Sequence, residues 1–157
     1  YSDSVYKLTK KLKCKIIFEP GRSIIGDTGI LLSKIQYIKK GAKKDFIIID
    51  AGMNDFMRPA LYDAVHKIIP IRKSKSKLKG TIEFVGPICE STCKFGSYKN
   101  YQKMSENDFV AITNVGAYGS SLSSNYNSRP LIAELLVNKN KIKYIRKKQD
   151  LLKLINS

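Results

Sequence analysis

Apolar residues recur along this chain at two periods. Val5, Leu8 and Leu12 are spaced by three and four, which predicts an amphipathic helix over residues 1–12. The short apolar run at 14–18 predicts a buried strand, ended by Glu19-Pro20-Gly21-Arg22. A helix, a strand and a Pro-Gly turn make the last unit of an α/β repeat, so the chain is expected to be a piece of something larger. Residues 23–32 read as a short helix with small residues at Gly26 and Gly29. Beyond them the period shortens. Strands are predicted at 33–38, 46–50, 81–85 and 108–114, and a hairpin at 131–138 and 141–146 around Lys139-Asn140. Between the strands, 41–44 is a turn and Gly86-Pro87 is a stop. Residues 55–68 carry Phe56, Leu61, Val65 and Ile68 at weakly helical spacing, with Pro59 in the first turn. Residues 69–72 lead into a basic loop at 73–79, and 149–156 reads as a terminal helix.

From 33 to 146 the chain is therefore mainly β, with short strands and modest turns, which suggests a sandwich or barrel. The composition agrees with a folded domain: 157 residues, 43% hydrophobic and 27% charged. The longest apolar runs, 46–49 and 131–137, are too short to span a bilayer, and no secretory signal pattern is visible. The expected compartment is the cytoplasm. Three cysteines, Cys14, Cys89 and Cys93, argue against a disulfide framework. One Cys pair spaced by four, with the lone His66, is a poor zinc pattern, so no metal is expected.

The net charge of +16 points towards nucleic acid or another anionic surface. Its distribution weakens that reading. Lysines fill 7–15, 39–44, 73–79 and 139–148, with no single stripe interleaved with stacking aromatics. Lys, Ile, Asn and Tyr are all abundant and all have AT-rich codons, which accounts for the charge without a partner.

Candidate chemistry sits in segments punctuated by Gly, Pro and Asn. Ligands of α/β folds lie at the carboxyl ends of strands. There Gly21 lets an anion approach the backbone and Arg22 offers a planar fork for a carboxylate or phosphate. A plain turn with a surface arginine is the competing reading. Arg58 and Tyr62 are one helical turn apart, so both are able to face one site. Cys89 beside Glu90, in a Gly-Pro loop, suits a thiol proton donor; an inert buried cysteine is the alternative. Gly116-Ala117-Tyr118-Gly119 and the stretch from Ser123 to Pro130 complete the set.

These five segments, in this order, resemble the C-terminal part of the diaminopimelate decarboxylase family. That family belongs to the alanine-racemase-like, group IV pyridoxal-phosphate enzymes. The resemblance covers about residues 1–137. The Glu-Pro-Gly-Arg turn is shared with related decarboxylases. Met-Asn-Asp-x-x-Arg-Pro-Ala-Leu-Tyr at 53–62, Gly-Pro-x-Cys-Glu-Ser at 86–91 and Ser-Asn-Tyr-Asn-x-Arg-Pro at 124–130 are more selective. They favour this family over its ornithine and arginine relatives.

The resemblance implies an N-terminal (β/α)8 barrel followed by a β-domain. Residues 1–32 would be the end of the barrel, 33–146 the β-domain and 147–157 a terminal helix. It implies pyridoxal 5'-phosphate as cofactor, meso-diaminopimelate as substrate, L-lysine as product and a homodimer with shared sites, or a separate barrel chain as partner. Glu19, Pro20, Gly21 and Arg22 would lie by the cofactor phosphate, with Tyr118 against cofactor and substrate. Arg22, Arg58 and Tyr62 would hold the distal carboxylate and Glu90 the distal ammonium. Cys89 would donate a proton in the partner's site.

Two departures follow. The family's Schiff-base lysine lies early in the barrel, and no lysine here sits in the corresponding motif, so the chain is expected to be inactive without a barrel. After Ser91, where the family has an acidic residue, this chain runs Thr92-Cys93-Lys94. A non-catalytic dimerisation module, or a basic module for nucleic acid or another anion, is the alternative. An apolar face at Ile16, Ile17 and Phe18 is expected to be exposed.

Overall fold

Period-two alternation becomes a buried face. A computed structural model describes residues 2–156. Strands β1 (Ile30–Lys39), β2 (Asp45–Ile49), β3 (Ile68–Pro70), β4 (Thr81–Val85), β5 (Lys94–Lys99) and β6 (Phe109–Thr113) form one sheet. Their order is β3-β6-β1-β2-β4-β5. Only β2 and β4 run parallel; the other neighbours are antiparallel. Alternate residues turn inward: Leu31 and Ile35 from β1, Ile47 and Ile49 from β2, Ile82 and Phe84 from β4, Val110 and Ile112 from β6. Phe56, Ile68, Phe95 and Met104 fill the space between them. Each such side chain contributes about 1.5–3 kcal/mol by leaving water.

The sheet curls until its two edges meet. Across the seam, Ile68 N–H donates to the Tyr98 hydroxyl at 2.9 Å, and that hydroxyl donates to His66 O at 3.2 Å. The Tyr101 hydroxyl donates to Ile68 O at 2.8 Å. Two phenols from the β5 side thus satisfy the outward backbone groups of β3, and behind them Phe84 makes T-shaped contacts with Tyr98 and Tyr101, which are tilted against each other.

A separate antiparallel hairpin, β7 (Glu134–Asn138) and β8 (Lys141–Arg146), turns at Lys139 with φ +52°. The helices are short: α1 (Ser2–Thr9), α2 (Arg22–Ile25), α3 (Arg58–Tyr62) and α4 (Leu151–Ile155). Asp150 caps α4, accepting from Leu152 N–H at 2.9 Å. No helix is long and apolar enough to cross a membrane among the described residues.

The mainly β character and the terminal hairpin are as expected from sequence, and four local expectations are corrected. The strand anticipated at 14–18 is irregular, because a strand needs a ladder and this segment pairs in neither sheet. Its Ile16, Ile17 and Phe18 are 39%, 73% and 53% exposed, as the anticipated apolar face requires. The helix anticipated at 23–32 gives way, after α2 and a 3-10 turn at Gly26–Thr28, to β1, whose Ile30 already pairs with Thr113 of β6. The helix anticipated at 55–68 is confined to α3, with Pro59 in its first turn; Asp63 ends it in the left-handed conformation at φ +50°. β5 was unanticipated, since Gly96, Ser97 and two flanking lysines hide the inward Phe95. The anticipated helix start at Tyr1 lies outside the described residues.

Candidate functional site

Polar residues that are far apart in sequence meet at one end of the sheet. An open cleft of about 950 Å³ is lined by Arg22, Asp27, Arg58, Tyr62, His66 and Tyr118, among others. Arg22 comes from α2, and Arg58 and Tyr62 from α3, one turn apart on the face that the spacing foretold. The Arg58 guanidinium lies 5.6 Å from the centre of the Tyr62 ring and 5.7 Å from that of Tyr118. Two aromatic faces hold that cation in place and leave its N–H edges for an anion.

The backbone fixes the distance between Arg22 and Tyr118. Gly116 N–H donates to Gly26 O and Val115 N–H to Gly29 O, each at 3.0 Å. A Cβ on Gly116 would stand 1.9 Å from Ile25 O, so only glycine fits there. Tyr118 itself adopts φ +59°.

His66 forms the floor. Its ring packs edge-on to Phe56 at 4.7 Å between centroids, and Nδ1 lies 3.0 Å from Thr113 O. A carbonyl only accepts, so Nδ1 carries a proton. Burial, above all, holds the imidazole below its ordinary pKa, with Arg58 and Arg22 adding to the effect. The ring is therefore neutral at pH 7, and its buried Nε2 has no hydrogen-bond partner.

Behind the cleft, the loop after β2 is tied to the segment before β7. Asn54 is fully buried and Asp55 nearly so. Gly52 N–H donates to Asp55 Oδ2 at 2.8 Å and Asn54 Nδ2 to Asp55 Oδ1 at 3.1 Å. Arg129 reaches in, donating to Asn54 Oδ1 at 3.1 Å and to Asp50 O at 2.8 Å, with its guanidinium 3.7 Å from Asp55 Oδ2. Burial raises the Asp55 pKa, opposed by the Gly52 N–H, Arg129 and Asn54.

Cys89 and Glu90 stand apart. Both are exposed on the loop between β4 and β5, and neither lines the cleft. The loop is seated by Gly86, where a Cβ would meet Cys93 Sγ at 2.5 Å and Ala51 O at 2.6 Å. Cys93 is buried beneath it and accepts a hydrogen bond from Met53 N–H at 3.4 Å. The Tyr126 hydroxyl donates to Glu90 Oε1 at 2.5 Å, and this bond raises the Tyr126 pKa.

Of the residues singled out from sequence, Arg22, Arg58, Tyr62 and Tyr118 share the cleft. Glu19, Pro20 and Gly21 lead into it as exposed irregular chain. The sequence reading missed His66, Asp27 and Asn114 in the lining, and the roles of Asn54, Asp55, Tyr126 and Arg129. For the last four a signal existed. All sit inside the selective motifs, and an Asn-Asp pair flanked by apolar residues demands polar partners if it is buried.

Residues 4–116 match the sequence profile of the C-terminal sheet domain of pyridoxal-dependent decarboxylases. The chain is 42% identical over 149 residues to diaminopimelate decarboxylase of Aquifex aeolicus, covering 95% of this chain and 35% of that protein. It is 44% identical over 151 residues to that of Helicobacter pylori, covering 96% and 37%. The crystal structure of the Helicobacter pylori protein complexed with L-lysine superposes with a TM-score of 0.84 at 42% identity, over 99% of this chain and 38% of that one. The chain thus spans little more than a third of the length of these relatives.

Proposed function

The chain belongs to the pyridoxal-dependent decarboxylase family through its C-terminal sheet domain, and from that premise we propose that it is the β-domain portion of a diaminopimelate decarboxylase. The reaction is decarboxylation of meso-diaminopimelate to L-lysine in lysine biosynthesis, in the cytoplasm. The division into a barrel remnant at 1–32, a β-domain at 33–146 and a terminal helix at 147–157 is part of the proposal. One observation carries it: Arg22, Arg58, Tyr62 and Tyr118 converge on one cleft, while Cys89 and Glu90 lie on a loop outside it. That separation suits a homodimer in which each subunit lends its loop to the other's cleft.

The residues present fit pyridoxal phosphate in part. The Gly21 backbone is open, with no atom within 4 Å of where a Cβ would stand, and the Arg22 cation and the Tyr118 ring face the cleft beside it. Glu19, Pro20, Gly21 and Arg22 would border the phosphate, with Tyr118 against the ring. Among the described residues no lysine lines the cleft. The amine that anchors the cofactor is assigned to the barrel portion of the enzyme. Once bound, the cofactor supplies an electron sink for the pair left behind by a departing carboxylate.

The chain's own residues do the rest. Arg58, braced between two rings, and Arg22 hold the substrate's distal carboxylate by charge-assisted hydrogen bonds, and Tyr62 closes that end. Glu90, held ready by Tyr126, takes the distal ammonium. A substrate without that ammonium leaves Glu90 unpaired, which discriminates against simpler amino acids. Cys89 Sγ delivers the proton to the carbon that lost its carboxylate.

The test is carbon dioxide release from meso-diaminopimelate with added pyridoxal phosphate. The chain alone is expected to release none. Mixed with the barrel portion of a close relative it is expected to release it, and Cys89→Ala in that mixture abolishes release. Silence of the mixture, or full activity of Cys89→Ala, would sink the reading.

A further inference from the structure

The decarboxylase reading leaves the basic loop unused. The fold gathers that loop into a feature the sequence did not disclose. Residues 76–80 run alongside 100–103 and prolong the β4–β5 pair. Leu78 N–H donates to Tyr101 O at 2.7 Å, Lys103 N–H to Ser76 O at 2.8 Å and Asn100 N–H to Gly80 O at 3.0 Å, with Lys77 opposite Gln102. Leu78 packs against the core, so its neighbours Lys77 and Lys79 point the other way, about 6.7 Å apart along the chain. Arg72, Lys73 and Lys75 precede them on the approaching loop, which bends at 71, 72 and 75; all five cations are exposed. The returning segment adds Lys99 and Lys103, also exposed. Segments 71–80 and 99–103 contain no acidic residue. Salt bridges elsewhere engage Lys40, Lys44 and Arg129, and none of these seven cations among the described residues.

We propose that this strip is a docking surface for the phosphate backbone of a nucleic-acid duplex. A strip of unpaired cations complements a linear polyanion, each strand of which places a charge about every 3.4 Å of duplex axis. Ser74, Ser76 and Asn100 lie among the lysines and are side chains of the kind that bond phosphate oxygens, while Gln102 Nε2 donates to Arg72 O at 3.3 Å and ties the loop down. Two features narrow the partner. Tyr101, the one aromatic residue in these segments, spends its hydroxyl on Ile68 O and its ring on the core, so nothing is left to stack unpaired bases. The one apolar side chain among the lysines, Leu78, faces inward, which leaves Ile71, 58% exposed beside Arg72, as the only apolar group of the segment that a lipid surface could take up. Binding is to the backbone and is indifferent to sequence.

The experiment measures anisotropy of a labelled random-sequence duplex with the full chain, from about 50 to about 200 mM salt. Two fourfold variants remove equal charge. One carries Lys73→Gln, Lys75→Gln, Lys77→Gln and Lys79→Gln; the other carries Lys141→Gln, Lys143→Gln, Lys147→Gln and Lys148→Gln. The parent chain is expected to bind, with affinity falling steeply as salt rises. The strip variant is expected to lose affinity about tenfold or more at the lowest salt, and its log–log salt slope to shrink by about 0.9 for each phosphate it no longer neutralises. The control variant is expected to stay within about twofold of the parent. Equal losses in the two variants would reduce the effect to bulk charge and overturn the proposal. So would absence of binding at the lowest salt, or tighter strip-dependent binding to phosphatidylserine vesicles than to duplex. All eight substituted lysines are exposed, and matched thermal melts of both variants exclude unfolding as the cause.

Discussion

The six-stranded sheet and the terminal hairpin are written in the same alphabet and treated oppositely by the fold. In the sheet, the inward face of the strands is mostly apolar and buried, with Ile35, Ile47, Ile49, Ile82 and Phe84 inaccessible to water, while Ile30 and Leu32 on the other face of β1 stay 62% and 55% exposed. In the hairpin, Leu135, Leu136, Val137, Ile142, Tyr144 and Ile145 are 48–70% exposed, although β7 and β8 pair along their length with a single bulge between Glu134 and Leu135. Hydrogen bonding is satisfied in both. What differs is whether the chain also supplies an opposite apolar layer. The sheet finds one by curling on itself, and a two-stranded ribbon is too narrow to curl. An apolar pattern reports a demand for cover, and the fold of one segment meets it only where geometry permits.

The sharpest way to break this contrast is to cut the same kind of group from each region. Phe84→Ala removes a fully buried ring and is expected to cost about 3–5 kcal/mol, read as the loss of denaturant midpoint at unchanged slope. A small loss would mean the sheet interior is not the seat of stability.

A middle-sized effect is expected where the sheet is tied to the segment that feeds the hairpin. Arg129→Met leaves Asp55 buried with fewer partners and is expected to cost about 1–3 kcal/mol. The sign of its pH dependence is fixed. Asp55 has a raised pKa in the folded chain, so the folded state holds its proton more tightly than the unfolded state does. Its contribution opposes folding above the folded pKa and is relieved as pH falls towards the unfolded value of 3.8. Arg129→Met removes a lowering influence, so the variant's deficit is expected to shrink between neutral and mildly acidic pH in paired urea melts. A deficit that grows on acidification would show that Arg129 does not bear on Asp55.

The smallest effect is expected in the hairpin. Tyr144→Ala should change stability by about 0.5 kcal/mol or less. The same substitution should raise the concentration at which the chain stays monodisperse on sizing, because it removes exposed apolar surface. A large loss of stability there would erase the distinction between the two regions.

Part of the sheet was legible because a strand such as β4 alternates cleanly and Ile82 and Phe84 declare their own inward side, whereas Ile30, Leu31 and Leu32 of β1 read as the end of a helix. β5 was not, since its inward positions include a glycine at φ +155° that presents no side chain. Residues 14–18 read as a strand because composition alone cannot show whether a ladder partner exists. In the site, Arg58 and Tyr62 were legible because one turn of helix is a local relation. Arg129 with Asn54 and Asp55, or Tyr126 with Glu90, join residues that stand 75 and 36 positions apart for the Arg129–Asn54 and Tyr126–Glu90 bonds, and no local period encodes such a distance. His66 drew notice in the sequence only as a poor metal ligand, whereas its packing on Phe56 and its bond to Thr113 O make it part of the cleft floor.

The seam between β3 and β5 gives the curled sheet a clasp in place of a weld. Every other junction around it is a backbone ladder, which parts only if several bonds fail together. Here two phenols hold the margin, their rings packed on Phe84 and on each other. The sheet is therefore a hoop closed at one point by side chains alone. Opening there would bare the tyrosines and Phe84 and carry the β3 margin, with His66 at its end, away from β5. The clasp and the cleft floor thus share one residue, His66, whose carbonyl takes the Tyr98 hydroxyl while its ring lines the cleft.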